Sequence, residues 1–116
     1  MKGKHGWQWY FREANDKNIL LLINYKKALQ FQNVSDKTIY EYQKEVYRFM
    51  LYLQSRDIAT LDVSTEIVQD YLDSFDASNP RKIRVLSVLN SFYKHNAKKR
   101  YIIINPINGI NKGRYQ

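Results

Sequence analysis

"VSDKTIYEYQKEVYRFMLYL" (Val34–Leu53) decides the fold class of this chain, because its apolar side chains recur at helical spacing. They form one stripe made of Ile39, Tyr42, Val46, Phe49, Met50 and Leu53. Ser35 precedes the run as an N-cap, and Asp36 places negative charge in the first turn, near the positive end of the helix dipole. The stretch predicts a helix over about Asp36–Ser55 whose apolar stripe faces a core.

Two more helices are predicted from similar signals. One covers about Asp16–Phe31, with Asp16 as its N-cap, and the other covers about Thr65–Phe75 after the cap Ser64. The apolar side of the earlier one consists of Ile19, Leu20, Leu22, Ile23 and Leu29.

The last predicted helix covers about Pro80–Lys99, with Ser78 or Asn79 as its cap. Pro80 suits the first helical position because its missing N–H would have no helical partner there. The core stripe of this helix consists of Val85, Leu86, Leu89, Phe92 and Tyr93. Four helices joined by short polar segments predict an all-α fold.

Residues 1–15 are expected to form a flexible or docked arm. In "GWQWYFRE", Trp7, Trp9 and Phe11 alternate with more polar side chains, which is a strand period, but one short strand finds no partner in this sequence.

Composition excludes several classes of protein. The chain of 116 residues has no cysteine, which rules out disulfides and thiolate metal sites. Its longest aliphatic run, Ile19–Ile23, is far too short to cross a membrane. We expect residues 1–15 not to act as a signal peptide, because no apolar core follows Lys2 and Lys4. The two histidines, His5 and His95, lie far apart, so no metal site is expected. We expect His95 to complement the helix dipole or to face phosphate.

No catalytic constellation can be assembled from the sequence. The four glycines are too scattered for a phosphate-binding loop, and no nucleophile, base and oxyanion donor occur together. We therefore expect no cofactor and no enzymatic activity, and we interpret Tyr40, Tyr42, Tyr47 and Tyr93 as packing residues.

The distribution of charge is more informative than the net charge of +8. Residues 1–76 contain ten basic and eleven acidic side chains, whereas residues 77–116 contain nine basic side chains and no acidic one. A field of one sign favours a polyanionic partner, above all nucleic acid.

Two polar stripes run beside the core stripes. On the second helix the stripe consists of Lys37, Glu41, Lys44 and Arg48. On the fourth helix it consists of Arg84, Ser87, Ser91, Lys94 and Lys98, with Arg81 and Lys82 at the front. A solvated helix usually mixes signs to gain ion pairs, which the fourth helix does not do. Lys, Arg and Ser side chains all bind the phosphates of duplex DNA.

The chain resembles the core-binding domain of tyrosine recombinases, the phage and mobile-element integrases. Matching positions in Val34–Leu53 are Ser35, Thr38, Tyr42 and Phe49. "VSTEIVQDYL" (Val63–Leu72) is similar to the third helix of that domain. In Asn79–Ile110 the matches are Arg84, Leu86, Ser87, Leu89, Phe92, Tyr93, Asn105 and Pro106. The resemblance covers about residues 16–111.

The resemblance implies a four-helix orthogonal bundle of the SAM-like kind over residues 16–104. It implies that residues 105–116 are a linker toward a catalytic domain that this sequence lacks. The domain would clamp duplex DNA at a core recombination site as a cytoplasmic protein of bacterial or phage origin, and the isolated domain would be a monomer. The implied contacts are Lys37, Thr38, Glu41, Lys44, Arg81, Lys82, Arg84 and Ser87, and the stripes add Arg48, Ser91 and Lys94.

Two other functions stay open. A helical protein-interaction module would dock an acidic partner on the basic stripe. A stand-alone DNA-binding regulator would need a shorter joint than "SFDASNP" between its helices.

The closing segment also carries an expectation. Tyr101 to Ile104 form an apolar run that we expect to cover the end of the fourth helix. Pro106 then blocks further helix, and we expect the residues from about Asn108 to be mobile.

Overall fold

A computed structural model describes residues 9–76 and 78–115 of the chain. Within these residues the regular structure is helical and contains no strand, so the predicted all-α fold class is confirmed. The helices are α1 (Asp16–Phe31), α2 (Asp36–Gln54), α3 (Thr65–Asp73) and α4 (Arg81–Lys98). Short 3₁₀ turns span Thr60–Asp62, Pro106–Gly109 and Lys112–Tyr115. The chain divides into two compact units, Met1–Leu51 and Tyr52–Gln116, and each is described separately.

In the N-terminal unit, the buried face of α1 differs from the predicted one. It contains Asn18, Leu21, Leu22, Tyr25 and Leu29, whereas Leu20 is 60% exposed. The cap also differs, because the extended Asn15 accepts the N–H of Asn18 at 2.9 Å, while Asp16 is already helical. The prediction was wrong for Leu20 because five consecutive aliphatic residues do not fix the phase of a helix.

Most of α2, up to Leu51, belongs to the same unit, and the helix begins as predicted. Ser35 Oγ accepts the backbone N–H of Thr38 at 3.3 Å, which satisfies one of the free donors at the helix start. The helix joins α1 through Gln43, whose Nε2 donates to the carbonyl of Leu22 at 3.0 Å in a buried position. Such a bond compensates for burying an amide.

Residues 9–14 form a helical turn and not the extended segment that the alternation suggested. Ala14 N–H donates to the carbonyl of Phe11 at 3.1 Å, and Phe11 is fully buried. The Phe11 ring lies 5.0 Å from that of Tyr47 at 80°, an edge-to-face contact. Residues 1–8, including Trp7 and His5, lie outside the described residues.

In the C-terminal unit, α3 and α4 begin at side-chain caps. Ser64 Oγ accepts the N–H of Ile67 at 3.3 Å, and Asn79 Oδ1 accepts the N–H of Arg81 at 2.9 Å. The whole predicted core stripe of α4 is buried. Tyr93 Oη donates to the carbonyl of Thr60 at 2.7 Å, and burial raises the pKa of this phenol far above its ordinary value, so it stays a neutral donor.

The closing segment packs differently from the prediction. Ile103 and Ile104 are 97% and 72% exposed, so the expectation that this run covers the end of α4 was wrong. The side chains that pack are Ile107, Ile110 and Tyr115, which are buried after the buried Pro106. A left-handed Arg100 (φ 65°) ends α4 and redirects the chain, which a hydrophobicity pattern does not reveal. The assignment of residues 105–116 as a linker stays a prediction.

Among the described residues, no helix is both long and apolar enough to cross a bilayer.

Candidate nucleic-acid interface

The polar stripe of α4 forms a basic face without acidic neighbours in the sequence. Arg84, Ser87 and Lys94 are exposed, whereas Ser91 is half-buried. No acidic residue occurs from Ser78 to Tyr115. The positive charge of this face therefore has no acidic partner within its own segment.

Two further cations lie at the start of α4 and rest on aromatic rings. The Arg81 guanidinium lies 5.0 Å from the ring centroid of Phe75, and Lys82 Nζ lies 5.8 Å from that of Tyr115. Both side chains are half-buried. Such contacts restrict a cation while its head group stays near water, so the charge is kept at the surface.

The stripe on α2, in the N-terminal unit, is partly neutralised by neighbouring acids. Lys44 Nζ lies 3.3 Å from Glu41 Oε2, and Arg48 Nη1 lies 3.5 Å from Glu45 Oε1. Glu45 is almost fully buried and was not among the predicted site residues. Helical (i, i+3) spacing is the signal that identifies it as a partner of Arg48. The Lys44–Glu41 pair is partly exposed, where such pairs contribute about 0–1 kcal/mol, so another anion can replace Glu41.

The other two predicted residues of this stripe lie in its first turn. Lys37 is exposed. Thr38 is half-buried, and its Oγ1 accepts a hydrogen bond from Ser35 Oγ at 3.0 Å. Thr38 therefore helps to shape the start of the helix, whatever else it contacts.

The turn at residues 9–12 approaches the same face of α2. Arg48 Nη2 donates to Tyr10 Oη at 3.5 Å, and Lys44 Nζ lies 4.9 Å from the Tyr40 ring centroid and 5.8 Å from that of Tyr10. The Arg12 guanidinium lies 3.7 Å from the ring centroid of Trp9. Aromatic side chains thus restrain two cations of the stripe. The sequence allowed for a docked arm but did not indicate which residues the arm contacts.

His95 does not supply a cation to the end of α4. Burial lowers its pKa, and the nearby positive charges of Lys99 and Lys98 lower it further. The imidazole is therefore neutral near pH 7, which contradicts a dipole-complementing role as a charged group.

The described residues contain no group of three or more His, Cys, Asp or Glu side chains arranged to hold a metal ion. The chemistry that the two faces offer is charge neutralisation and hydrogen bonding to anionic oxygens, which suits a phosphate backbone.

Comparison with known proteins gives one family and one relative. Residues 22–100 match the family described as "Phage integrase, N-terminal SAM-like domain". Tyrosine recombinase XerD of Rickettsia conorii is 26% identical over 86 residues, which make up 72% of this chain and 28% of that protein. The chain thus spans less than a third of the relative's length. No solved structure matches the chain.

Proposed function

Since the chain belongs to the family of phage integrase N-terminal SAM-like domains and is the N-terminal domain of a tyrosine recombinase, we propose that it binds the duplex DNA of a core recombination site. The basic face of α4 carries this proposal, because it combines Arg84, Ser87 and Lys94 at the surface with a segment free of acidic residues. Each phosphate that such a face neutralises releases condensed counterions, which drives association.

The two faces contribute unequally in this proposal. The α4 face lies in a segment without acidic residues, so none of its cations has a carboxylate on its own helix. The α2 face must exchange Glu41 and Glu45 for phosphate oxygens before Lys44 and Arg48 bind DNA. Glu41, once released, is able to accept a hydrogen bond from cytosine N4 in the major groove.

The remaining parts of the proposal concern the whole recombinase. This domain holds one side of the core site, while strand cleavage belongs to a catalytic domain elsewhere in the parent protein. The isolated domain is a monomer without enzymatic activity, and it acts on DNA in the cytoplasm.

The test is a titration of fluorescent duplex DNA with the isolated domain at several salt concentrations. The dissociation constant should rise steeply with salt, with a log–log slope of about 0.9 per phosphate neutralised. Arg84→Glu should weaken binding and flatten this slope, and Lys37→Glu should do the same to a smaller extent.

Lys27→Glu is the matched control. Lys27 is exposed on α1 and lies outside both stripes, and its substitution changes the net charge by the same amount. All three variants should keep the thermal midpoint of the wild type, since exposed substitutions usually change stability by less than about 0.5 kcal/mol. Binding that is absent at low salt, or equal losses in all three variants, would exclude the proposed face.

A further inference from the structure

An exposed apolar loop follows α4 in the C-terminal unit. Its side chains Tyr101, Ile103 and Ile104, called the apolar tip below, are 52%, 97% and 72% exposed. Single exposed apolar residues are common on proteins, but three within four residues form a patch of the kind that binds a partner. The structure of the C-terminal unit leaves this patch without a role in packing.

The loop is fixed at both of its ends. At the start, Arg100 N–H donates to the carbonyl of Ala97 at 2.9 Å and Tyr101 N–H to that of Asn96 at 3.0 Å, which is a Schellman motif. At the end, Asn105 Nδ2 donates to Asn90 Oδ1 at 2.9 Å. The apolar tip is therefore presented by a short loop anchored to α4, so little ordering is needed when it binds.

The surroundings of the apolar tip are basic. Lys94, Lys98, Lys99 and Arg100 are exposed next to it in sequence, in the segment that contains no acidic residue. An open groove of about 380 Å³ borders it and is lined by Asn90, Lys94, Ala97, Ile103, Ile104, Asn105 and Asn108. Apolar side chains surrounded by cations and amides complement a ligand that is both anionic and partly apolar.

We infer that the apolar tip enters the minor groove of the same duplex whose phosphates the α4 face neutralises, an inference that rests on the proposed function. Isoleucine side chains act this way in minor-groove binding, where they contact the sugars and partly unstack a base step. Lys94 belongs both to the basic face and to the groove, so the two surfaces are continuous.

The length of α4 agrees with this placement. From Arg84 to Lys98 the stripe rises about 21 Å at 1.5 Å per residue. That distance corresponds to about six base pairs, a little more than half a turn of B-DNA. A helix that follows the duplex with its basic face over one groove therefore reaches the other groove near its C-terminal end, where the apolar tip lies.

The test compares wild type with Ile103→Ser on a duplex of about 30 bp that has central TA steps and a fluorophore at each end. Affinity is measured at two salt concentrations, and energy transfer between the ends reports bending. Ile103→Ser should weaken binding about three- to tenfold by the same factor at both salt concentrations, because the lost contact is apolar. It should also abolish the protein-induced increase in energy transfer.

Phe31→Ser is the matched control, because Phe31 is 90% exposed in the N-terminal unit and lies outside the proposed contacts. It should leave affinity and bending unchanged. Ile103→Ser should fold normally because the side chain is exposed, and a thermal melt checks this.

The outcomes separate this inference from the proposed function. If Ile103→Ser binds and bends DNA like the wild type while Arg84→Glu weakens binding, the minor-groove role is wrong and the basic face stands. If Arg84→Glu also binds normally, the proposed function fails. If sedimentation shows that Ile103→Ser only removes self-association, the apolar tip is a protein interface and the inference is overturned.

Discussion

Gly109→Ala tests whether the closing segment is docked or mobile. Gly109 lies in the 3₁₀ turn Pro106–Gly109, beside Thr65 at the start of α3. A Cβ at Gly109 would lie 2.7 Å from Thr65 Oγ1 and 3.1 Å from its Cγ2. Thr65 cannot easily rotate away, because its Oγ1 donates to the carbonyl of Pro106 at 2.6 Å.

The two descriptions of the segment predict different changes in stability for this substitution. In a docked segment, Gly109→Ala should destabilise the protein by about 1 to 3 kcal/mol through overpacking. In a mobile segment it should leave the free energy of unfolding nearly unchanged, because alanine then restricts the backbone equally in the folded and the unfolded chain. The backbone does not prevent the substitution, since no glycine among the described residues has a positive φ.

A double-mutant cycle with Thr65→Ala identifies the cause. Thr65→Ala alone should cost about 1 kcal/mol through the lost hydrogen bond. Gly109→Ala should then cost clearly less in that background, because the two closest atoms are gone and only Thr65 Cβ, at 3.3 Å, remains near. The measurement is the free energy of unfolding from urea denaturation of all four proteins.

Gly113→Ala serves as the control for the cycle. Its Cβ would meet only Asn111 Oδ1, at 3.5 Å, which is an ordinary contact. The substitution should therefore be neutral or slightly stabilising. If Gly109→Ala behaves like Gly113→Ala, or if Thr65→Ala does not reduce its cost, the docked arrangement is wrong.

Two further predictions concern stability. Leu89→Ala should lower the free energy of unfolding by about 2 to 5 kcal/mol in urea denaturation, because Leu89 is fully buried and leaves a cavity; a loss below about 1 kcal/mol would contradict this packing. The pKa of His95 is lowered in the folded protein, whereas in the unfolded chain it has its ordinary value of about 6.5. Below that pH the unfolded chain binds the proton more readily than the folded protein does. The free energy of unfolding should therefore fall as the pH drops through about 6.5. His95→Gln should remove this part of the acid sensitivity in urea midpoints measured at several pH values, and an identical pH dependence in both proteins would refute the assignment.

Helices were predictable from this sequence because caps and periodic apolar residues act locally. The bounds of α1 agree with the prediction, and those of the other helices differ by one or two residues at the ends. Ser35, Ser64 and Asn79 all accept hydrogen bonds from backbone N–H groups at helix starts. A local hydrogen bond needs no knowledge of the rest of the fold.

The failed expectations have non-local causes. Whether Ile103 is buried depends on the direction that the chain takes after Arg100, a left-handed residue where glycine is usual. The contact of Arg48 with Tyr10 depends on the turn at residues 9–12, which lies far away in sequence. Side-chain type predicted the stripes, but the partners of each cation required the structure.

The partners of each cation determine how much that cation contributes to the binding of DNA in the proposed function. In the N-terminal unit, Lys44 and Arg48 already have carboxylates within 3.5 Å, so phosphate would replace an existing anion and the net gain is small. In the C-terminal unit, the segment from Ser78 to Tyr115 contains no acid, so the cations of α4 have no acidic neighbour on their own helix. Replacing Arg84 with glutamate should therefore lower the affinity for DNA more than the same replacement of a cation of α2, although each substitution changes the net charge equally. Equal losses would mean that overall charge, and not the α4 face, attracts the duplex.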